Sequence, residues 1–200
     1  RSASRSWSTR IADMQGRRGY TLIELLLVVA ILAIAALLLV PSLVRRDTYT
    51  VEAALRRLVA DITFAQSDAL AGQGYRRVFF DPEGHGWCVA RVRESALSLP
   101  FDEQTADFVR DPLASGEGQP MVVELDRDPR FAGVRLESIQ LDGSRNWITF
   151  DPLGGTIAEA GVPGTGGSLV VRSDNLTYRV EIDAFTGKVS VARAEEPLGP

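Results

Sequence analysis

Glu24 is the residue with the clearest chemical potential, because it is the only charged side chain at the head of an uncharged run from Leu25 to Val44. A run of about 20 apolar residues is long enough to cross a bilayer as a helix. An acidic group at the centre of such a helix costs about 2.5 to 3.5 kcal/mol on insertion scales, so an acid there is a functional candidate. A buried carboxylate recovers much of its desolvation cost only when it meets a cation. Glu24 is therefore expected to need a cationic partner.

The remaining residue inventory argues against catalysis. His85 is the only histidine, which excludes a histidine-based triad and a multi-histidine metal site. The glycine cluster 161–167 lacks the Gly-Lys-Ser/Thr ending of a phosphate-binding loop and is interpreted as a turn. Two acidic groups could offer oxygen ligands to calcium, but neither has the spacing of an EF-hand: Asp126 with Asp128, and Asp102 with Glu103 and Asp107. We therefore predict no catalytic residue, no cofactor, no metal site and no small-molecule substrate.

The residues just ahead of the apolar run bear on how the chain is processed. Arg17 and Arg18 precede Gly19, and no Ala-x-Ala site follows the run. This pattern argues against a secretory signal peptide that is removed behind its hydrophobic core. A cut ahead of the run would leave the apolar helix in the mature chain, and an ordinary signal anchor is the alternative.

Residues 17–24, with the sequence RRGYTLIE, resemble the type III leader junction of type IV prepilins and type II secretion pseudopilins. In that family a membrane aspartyl peptidase cleaves after the glycine on the cytoplasmic side and methylates the new amino terminus. The resemblance implies a leader at 1–19, with Arg17 and Arg18 as its basic residues, and cleavage between Gly19 and Tyr20. It also implies an N-methylated Tyr20, where the family usually has Phe or Met.

The resemblance further assigns a role to Glu24 and a set of partners. When mature subunits pack into a filament, Glu24 of one subunit would meet the free terminal amine of a neighbour. The implied partners are the prepilin peptidase and other pseudopilins or pilins. The same junction implies a single-pass helix over 20–44 in the inner membrane, with the C-terminal domain in the periplasm. Arginines flank the run on both sides, so charge alone does not set this orientation.

The start of translation and the bulk composition limit which residues the mature chain contains and which partners it can bind. Met14 lies just ahead of the junction, and we favour a start there, which leaves residues 1–13 untranslated. Without residues 1–19 the chain has 17 basic and 25 acidic side chains, a net charge of −8. Such a chain is a poor binder of nucleic acid on bulk charge.

Cys88 is the only cysteine, so no intramolecular disulfide is possible, and it is interpreted as a small buried hydrophobe.

An amphipathic helix is predicted to continue the stalk over 45–74. Apolar residues recur at intervals of three and four, which draws one stripe along a helix: Val51, Leu55, Leu58, Ile62, Ala65 and Ala69. The opposite face carries Glu52, Arg56, Asp61 and Asp68. Replacement of Arg57 by aspartate is expected to be tolerated. With the membrane segment this makes one helix over about 21–71, which Gly72 and Gly74 end.

The periodicity then changes to about two residues, which is typical of strands. A hairpin is predicted from 75–80 and 86–92, and further strands at 121–125, 134–139, 147–150, 168–172, 176–183 and 188–192. The clearest alternation predicts that Leu176, Tyr178, Val180 and Ile182 share the face that covers the helix stripe. We expect an α+β lollipop, with a long N-terminal helix packed under an antiparallel sheet domain at 75–193. Residues 94–120 are interpreted as a long surface loop and 194–200 as an acidic tail.

Several segments are similar to the GspH/FimT minor pseudopilins, from the helix at 54–69 and the strand at 77–81 to the C-terminal pieces 147–155, 166–171, 178–182 and 186–189. The fit is weakest at 94–120. The resemblance implies a minor pseudopilin, a structural subunit of the type II secretion pseudopilus that assists protein export across the outer membrane. The alternative is a FimT-like minor pilin of a type IV pilus, in adhesion or DNA uptake. A membrane-tethered enzyme is a third, weaker hypothesis.

Overall fold

The computed structural model describes residues 20–114, 116 and 118–194, without the side chains of 37–47. The predicted leader with Arg17, Arg18 and Gly19, and residues 195–200 of the predicted tail, lie outside the described residues. The chain divides into two compact units, 1–41 and 42–200.

One long helix and a set of antiparallel strands make up the described chain, which confirms the α+β class. Helix α1 spans Leu22–Gly72. The strands are β1 Tyr75–Phe80, β2 Gly86–Val92, β3 Asp107–Phe108, β4 Val122–Glu124, β5 Arg135–Leu141, β6 Trp147–Phe150, β7 Ile157–Glu159, β8 Val162–Pro163, β9 Gly167–Arg172, β10 Thr177–Ile182 and β11 Val189–Arg193. Short 3₁₀ turns occur at Glu94–Ala96 and Pro129–Phe131.

The strands form two main sheets and a small hairpin. The first sheet has the order β3-β2-β1-β6, with β4 also paired to β2, and the second has the order β11-β10-β9-β5. Strands β7 and β8 pair only with each other. The two main sheets meet where the turn between β1 and β2 reaches β5, since the Leu136 amide donates to the Gly84 carbonyl at 3.0 Å.

The helix stripe predicted from the sequence lies in the core. All six of its members are buried, with Ala54 beside them, and they share one cluster with the inward-facing residues of both sheets. In β10, Val180 and Ile182 are buried while Arg179 and Glu181 are exposed, as the alternation predicts. The helix ends where Gln73 adopts a φ of 46° and the Gly74 amide donates to the Ala69 carbonyl at 3.1 Å. This left-handed residue is a glutamine, although glycine is the usual choice there.

The segment 94–120 is packed more closely than a surface loop. Leu97 and Val109 are buried, and the Val109 amide donates to the Val89 carbonyl of β2 at 2.9 Å. An isolated bridge between Arg110 and Pro120 then closes the excursion. Sequence periodicity misses this packing because only single side chains are buried, and β3 is two residues long.

Candidate assembly site

Two predicted site residues lie at the start of helix α1. Tyr20 lies two residues before the helix, and Glu24 is in its first turn. Thr21 lies just before the helix, and its hydroxyl accepts a hydrogen bond from the Glu24 amide at 3.3 Å. The same amide also donates to the Thr21 carbonyl at 3.1 Å, so both Thr21 oxygens hold one of the amides near the helix N-terminus. Thr21 and Glu24 also have the spacing of a capping box, a signal that the sequence analysis did not use.

Both side chains are accessible in this arrangement. Tyr20 is 82% exposed, and Glu24 is exposed in the first turn of the helix. A carboxylate in the first turn is favoured by the positive end of the helix dipole. The local fold therefore holds an accessible negative charge four positions after Tyr20. The other predicted processing residues, Arg17, Arg18 and Gly19, lie outside the described part of the chain.

Apolar side chains are exposed along the first described turns of the helix. The large apolar residues between Leu22 and Ile34 are 47% to 77% exposed. They lie on every side of the helix, whereas the second half of α1 buries a single stripe. A helix that is apolar all round is typical of an element covered by other apolar groups.

Within the part of the chain that the structure describes, no helix is both long and apolar enough to qualify as a membrane span.

A buried polar network was missed by the sequence analysis. Asp61 is only 1% exposed, although the periodicity places it on the face opposite the apolar stripe. Its Oδ2 atom accepts hydrogen bonds from Arg57 Nε at 2.8 Å and from Trp87 Nε1 at 2.9 Å. The same Arg57 donates through Nη2 to Asp111 at 2.5 Å. The network therefore joins the helix to β2 and to the segment that follows β3.

Charge and burial compete in this network. Burial raises the pKa of Asp61 above its ordinary value, despite the opposing hydrogen bonds from Arg57 and Trp87. For Arg57, burial acts to lower the pKa, but the hydrogen bonds to its two carboxylates outweigh burial and raise it. An aspartate at position 57 would place three carboxylates together, so the tolerance expected for that change is not supported. The clues were the i, i+4 spacing of Arg57 and Asp61 and the need of a buried Trp87 for an acceptor.

Two other residues with reactive side chains, Cys88 and His85, lie in β2 and in the turn before it. Cys88 is buried, and burial, with a smaller effect of Glu103, raises the pKa of its thiol to about 12. His85 lies in the turn after β1, with Nδ1 3.3 Å from the Asp81 carboxylate. No three histidine, cysteine or acidic residues among those described are grouped so as to hold a metal ion.

Comparison with protein families gives two matches in this chain. The prokaryotic N-terminal methylation motif matches residues 14–40, and type II transport protein GspH matches residues 54–187. No curated protein sequence matches the chain.

Two solved structures align with this chain. The minor pseudopilin EpsH of the Vibrio cholerae type 2 secretion system aligns with a TM-score of 0.46 and 9% identity, over 71% of this chain and 95% of that chain. The type IV minor pilin FimU of Pseudomonas aeruginosa aligns with a TM-score of 0.43 and 14% identity, over 71% and 87%.

An N-terminal methylation motif followed by a helix and antiparallel sheets defines the class of pilin-like filament subunits. The GspH match covers more than half of the chain, and the chain belongs to the type II transport protein GspH family. Members of this class are minor pseudopilins and pilins, which are structural subunits of pilus-like assemblies. The protein is accordingly a structural subunit and not an enzyme.

Proposed function

We propose that this protein is a minor pseudopilin of a type II secretion system, where it joins the pseudopilus and assists protein export across the outer membrane. The observation that carries the proposal is the GspH match at 54–187 directly behind the methylation motif at 14–40. The accessible Glu24 at the head of an exposed apolar helix supports the same role.

The first step of this function is removal of the leader. Prepilin peptidase would cut between Gly19 and Tyr20 on the cytoplasmic side and methylate the amine of Tyr20. Glycine suits this position because it has no side chain that would hinder access to the scissile peptide bond. Arg17 and Arg18 would form the basic end of the leader, and the peptidase junction would set the orientation, because arginines flank the apolar run on both sides.

The second step is retention in the inner membrane. Residues 20–44 would form a single transmembrane helix, since the run from Leu25 to Val44 has no charged residue. The folded unit from residue 45 onward would then stand in the periplasm. Exposure of large apolar side chains on all sides of the helix between Leu22 and Ile34 supports an apolar surrounding.

The third step is docking into the filament through Glu24. Its carboxylate would pair with the terminal amine of a neighbouring subunit, because a charge pair reduces the cost of placing an acid in an apolar environment. Thr21 supports this geometry by capping the helix, which fixes the first turn from which Glu24 projects.

Glu24→Leu tests the assembly step in cells. The change removes the only charge in the segment, so membrane insertion should be equal or better. Crosslinking to the other pseudopilins should fall strongly while leader cleavage continues. Glu52→Leu is the matched control, because it removes a carboxylate of the same helix that pairs with the exposed Arg56. Normal crosslinking and normal cleavage of Glu24→Leu would contradict the assembly role, and loss of cleavage would make Glu24 a determinant of the peptidase.

Deletion of the gene separates the secretion role from the pilus role. A minor pseudopilin predicts that exported enzymes accumulate in the periplasm while type IV pili still assemble. Intact export together with loss of pili would instead support the FimT-like minor pilin and contradict the secretion proposal.

A further inference from the structure

A cavity of about 380 Å³ lies between the outer side of the first sheet and the segment that follows β2. We call it the phenylalanine groove, because Phe79 of β1, Phe108 of β3 and Phe101 between β2 and β3 line it. All three rings are half-buried. Its volume falls within the range of about 300 to 1,000 Å³ that is typical of binding pockets.

The three rings hold one another in place. Phe79 and Phe101 stack with their centroids 4.1 Å apart and their planes 19° from parallel. Phe108 meets Phe101 edge-on at 6.4 Å. These contacts attach the segment 94–120 to β1, so the groove has a formed wall before any ligand arrives. A preorganised wall reduces the entropy lost when a ligand binds.

The rim of the phenylalanine groove is strongly acidic. The cavity is lined by four carboxylates, those of Asp81, Glu103, Glu124 and Asp126, against one guanidinium, that of Arg127. Arg127 pairs with Glu124 at 2.7 Å and is 80% exposed, so it lies at the rim. An exposed pair of this kind contributes little to stability and is readily displaced. His85 also lines the cavity, with Nδ1 3.3 Å from the Asp81 carboxylate and Nε2 3.6 Å from that of Asp126. Four carboxylates against one guanidinium and one imidazole leave the lining net negative.

Aromatic walls and an acidic rim are together complementary to a guanidinium. An arginine side chain can lay its planar group on an aromatic face and direct its donors to carboxylates. Lysine has a compact, strongly hydrated charge and suits a ring face less well. An acidic or neutral ligand would be repelled by the rim or would leave its carboxylates without a partner.

We infer that the phenylalanine groove is a docking site for an arginine side chain presented by a protein partner. The guanidinium lies against the exposed surface of the three rings of the phenylalanine groove. Glu103 and Asp126 accept its hydrogen bonds. Phe101, Glu103 and Phe108 belong to the segment 94–120, which the sequence predicts to depart from the GspH/FimT pattern, so this segment would give the subunit its own partner preference. The inference does not depend on the proposed role in a pseudopilus.

The test measures peptide binding to the purified full-length chain in a neutral detergent. The probe is a fluorescein-labelled pentapeptide with one central arginine between glycines, followed by fluorescence anisotropy. The matched probe carries citrulline, which keeps the shape of arginine and removes its charge. The arginine peptide should bind at least about tenfold more tightly than the citrulline peptide, and added salt should weaken it.

Two variants locate the binding. Glu103→Gln removes one exposed carboxylate and Phe101→Leu removes an aromatic face but stays apolar, and each should weaken the arginine peptide about three- to tenfold. Glu181→Gln, on the exposed face of β10, is the control and should leave binding unchanged. Equal binding of the arginine and citrulline peptides would overturn the inference. So would equal effects of Glu103→Gln and Glu181→Gln, since Glu103 is exposed and its change should not affect folding.

Discussion

Asp61 is a charged residue in the interior of the folded unit, and Arg57 is the reason that it can stay there. Replacing a whole buried ion pair is often harmless, but removing one partner leaves an uncompensated charge. The hydrogen bond from Trp87 alone would not neutralise the carboxylate. The stability of this region should therefore depend more on Arg57 than on any exposed arginine of the same helix.

Arg57→Ala should lower the free energy of unfolding by about 3 to 5 kcal/mol, because Asp61 and Asp111 both lose their cation. Arg56→Ala is the matched control on the adjacent position. Arg56 is 81% exposed and pairs with Glu52 one helical turn away, so its loss should cost about 0.3 to 0.5 kcal/mol. Urea unfolding followed by circular dichroism measures both. Equal midpoints for the two variants would show that the buried network does not stabilise the fold.

Cys88 should be chemically inert in the folded chain. With a pKa of about 12 in place of 9.0, its thiolate fraction at pH 8 falls about 10³-fold, and the thiolate is the reactive form. Alkylation by iodoacetamide should be slower by at least that factor in the native protein than in urea, which mass spectrometry can follow. Comparable labelling rates in the two states would show that the thiol is accessible.

The same group has a consequence for stability at high pH. As pH rises above about 8.5, the unfolded chain releases the Cys88 proton first, since the folded pKa is higher. The unfolded state then binds fewer protons, so the free energy of unfolding falls as pH increases towards 12. Cys88→Ala should remove this part of the decrease.

At the scale of elements, the turn between β1 and β2 is a contact point between the two main sheets. Gly84 has a φ of +81°, and its carbonyl accepts a hydrogen bond from the Leu136 amide of β5. A Cβ atom at this position would collide with the Leu136 carbonyl oxygen, which is backbone and cannot move aside without moving β5. Glycine is thus required here for both its conformation and its size.

Gly84→Ala should therefore destabilise the fold more than Gly133→Ala does. Gly133 has nearly the same φ, +80°, but nothing lies within 4 Å of the position of an added Cβ. The shared backbone strain costs about 1 to 3 kcal/mol, and the collision at Gly84 should add at least about 1 kcal/mol. Thermal unfolding of the two variants isolates the steric part. Equal melting temperatures would mean that the sheets separate there at little cost.

The elements that could be predicted are those with long periodic patterns. The stripe from Val51 to Ala69 repeats over several turns, and the hairpin of β1 and β2 alternates around a clear turn signal. Strands β3, β7 and β8 are two or three residues long, too short to show a period. Burial of Asp61 depends on Trp87, 26 residues away, and hence on tertiary packing that no local pattern contains. For Tyr20 and Glu24 the sequence predicts a role. The structure adds the hydrogen bond by which Thr21 caps the helical turn that carries Glu24.

At the scale of the whole molecule, the family assignment joins two kinds of evidence. The methylation motif concerns how the chain is processed, and the GspH match concerns the folded unit that follows. The proposed phenylalanine groove adds a surface that the segment 94–120 helps to form. In the proposed function, Glu24 would dock the subunit into the filament, as in other subunits. The phenylalanine groove would select the protein partner.

Maturation is the event on which the proposed function depends, because an uncleaved chain has no free amine at Tyr20 to offer a neighbour. Gly19→Val should block cleavage, since its side chain hinders approach to the peptide bond. Gly16→Val is the matched control, because it makes the same change within the leader but away from the proposed cut. It should be processed normally.

The most direct measurement is mass spectrometry of the N-terminal peptide from the membrane fraction of cells that contain prepilin peptidase. The wild-type chain should begin with N-methylated Tyr20, and the Gly19→Val chain should retain the residues before it. A wild-type chain that keeps its leader, or one cut behind the apolar run after Val44, would contradict the proposal that this protein is a processed pseudopilin.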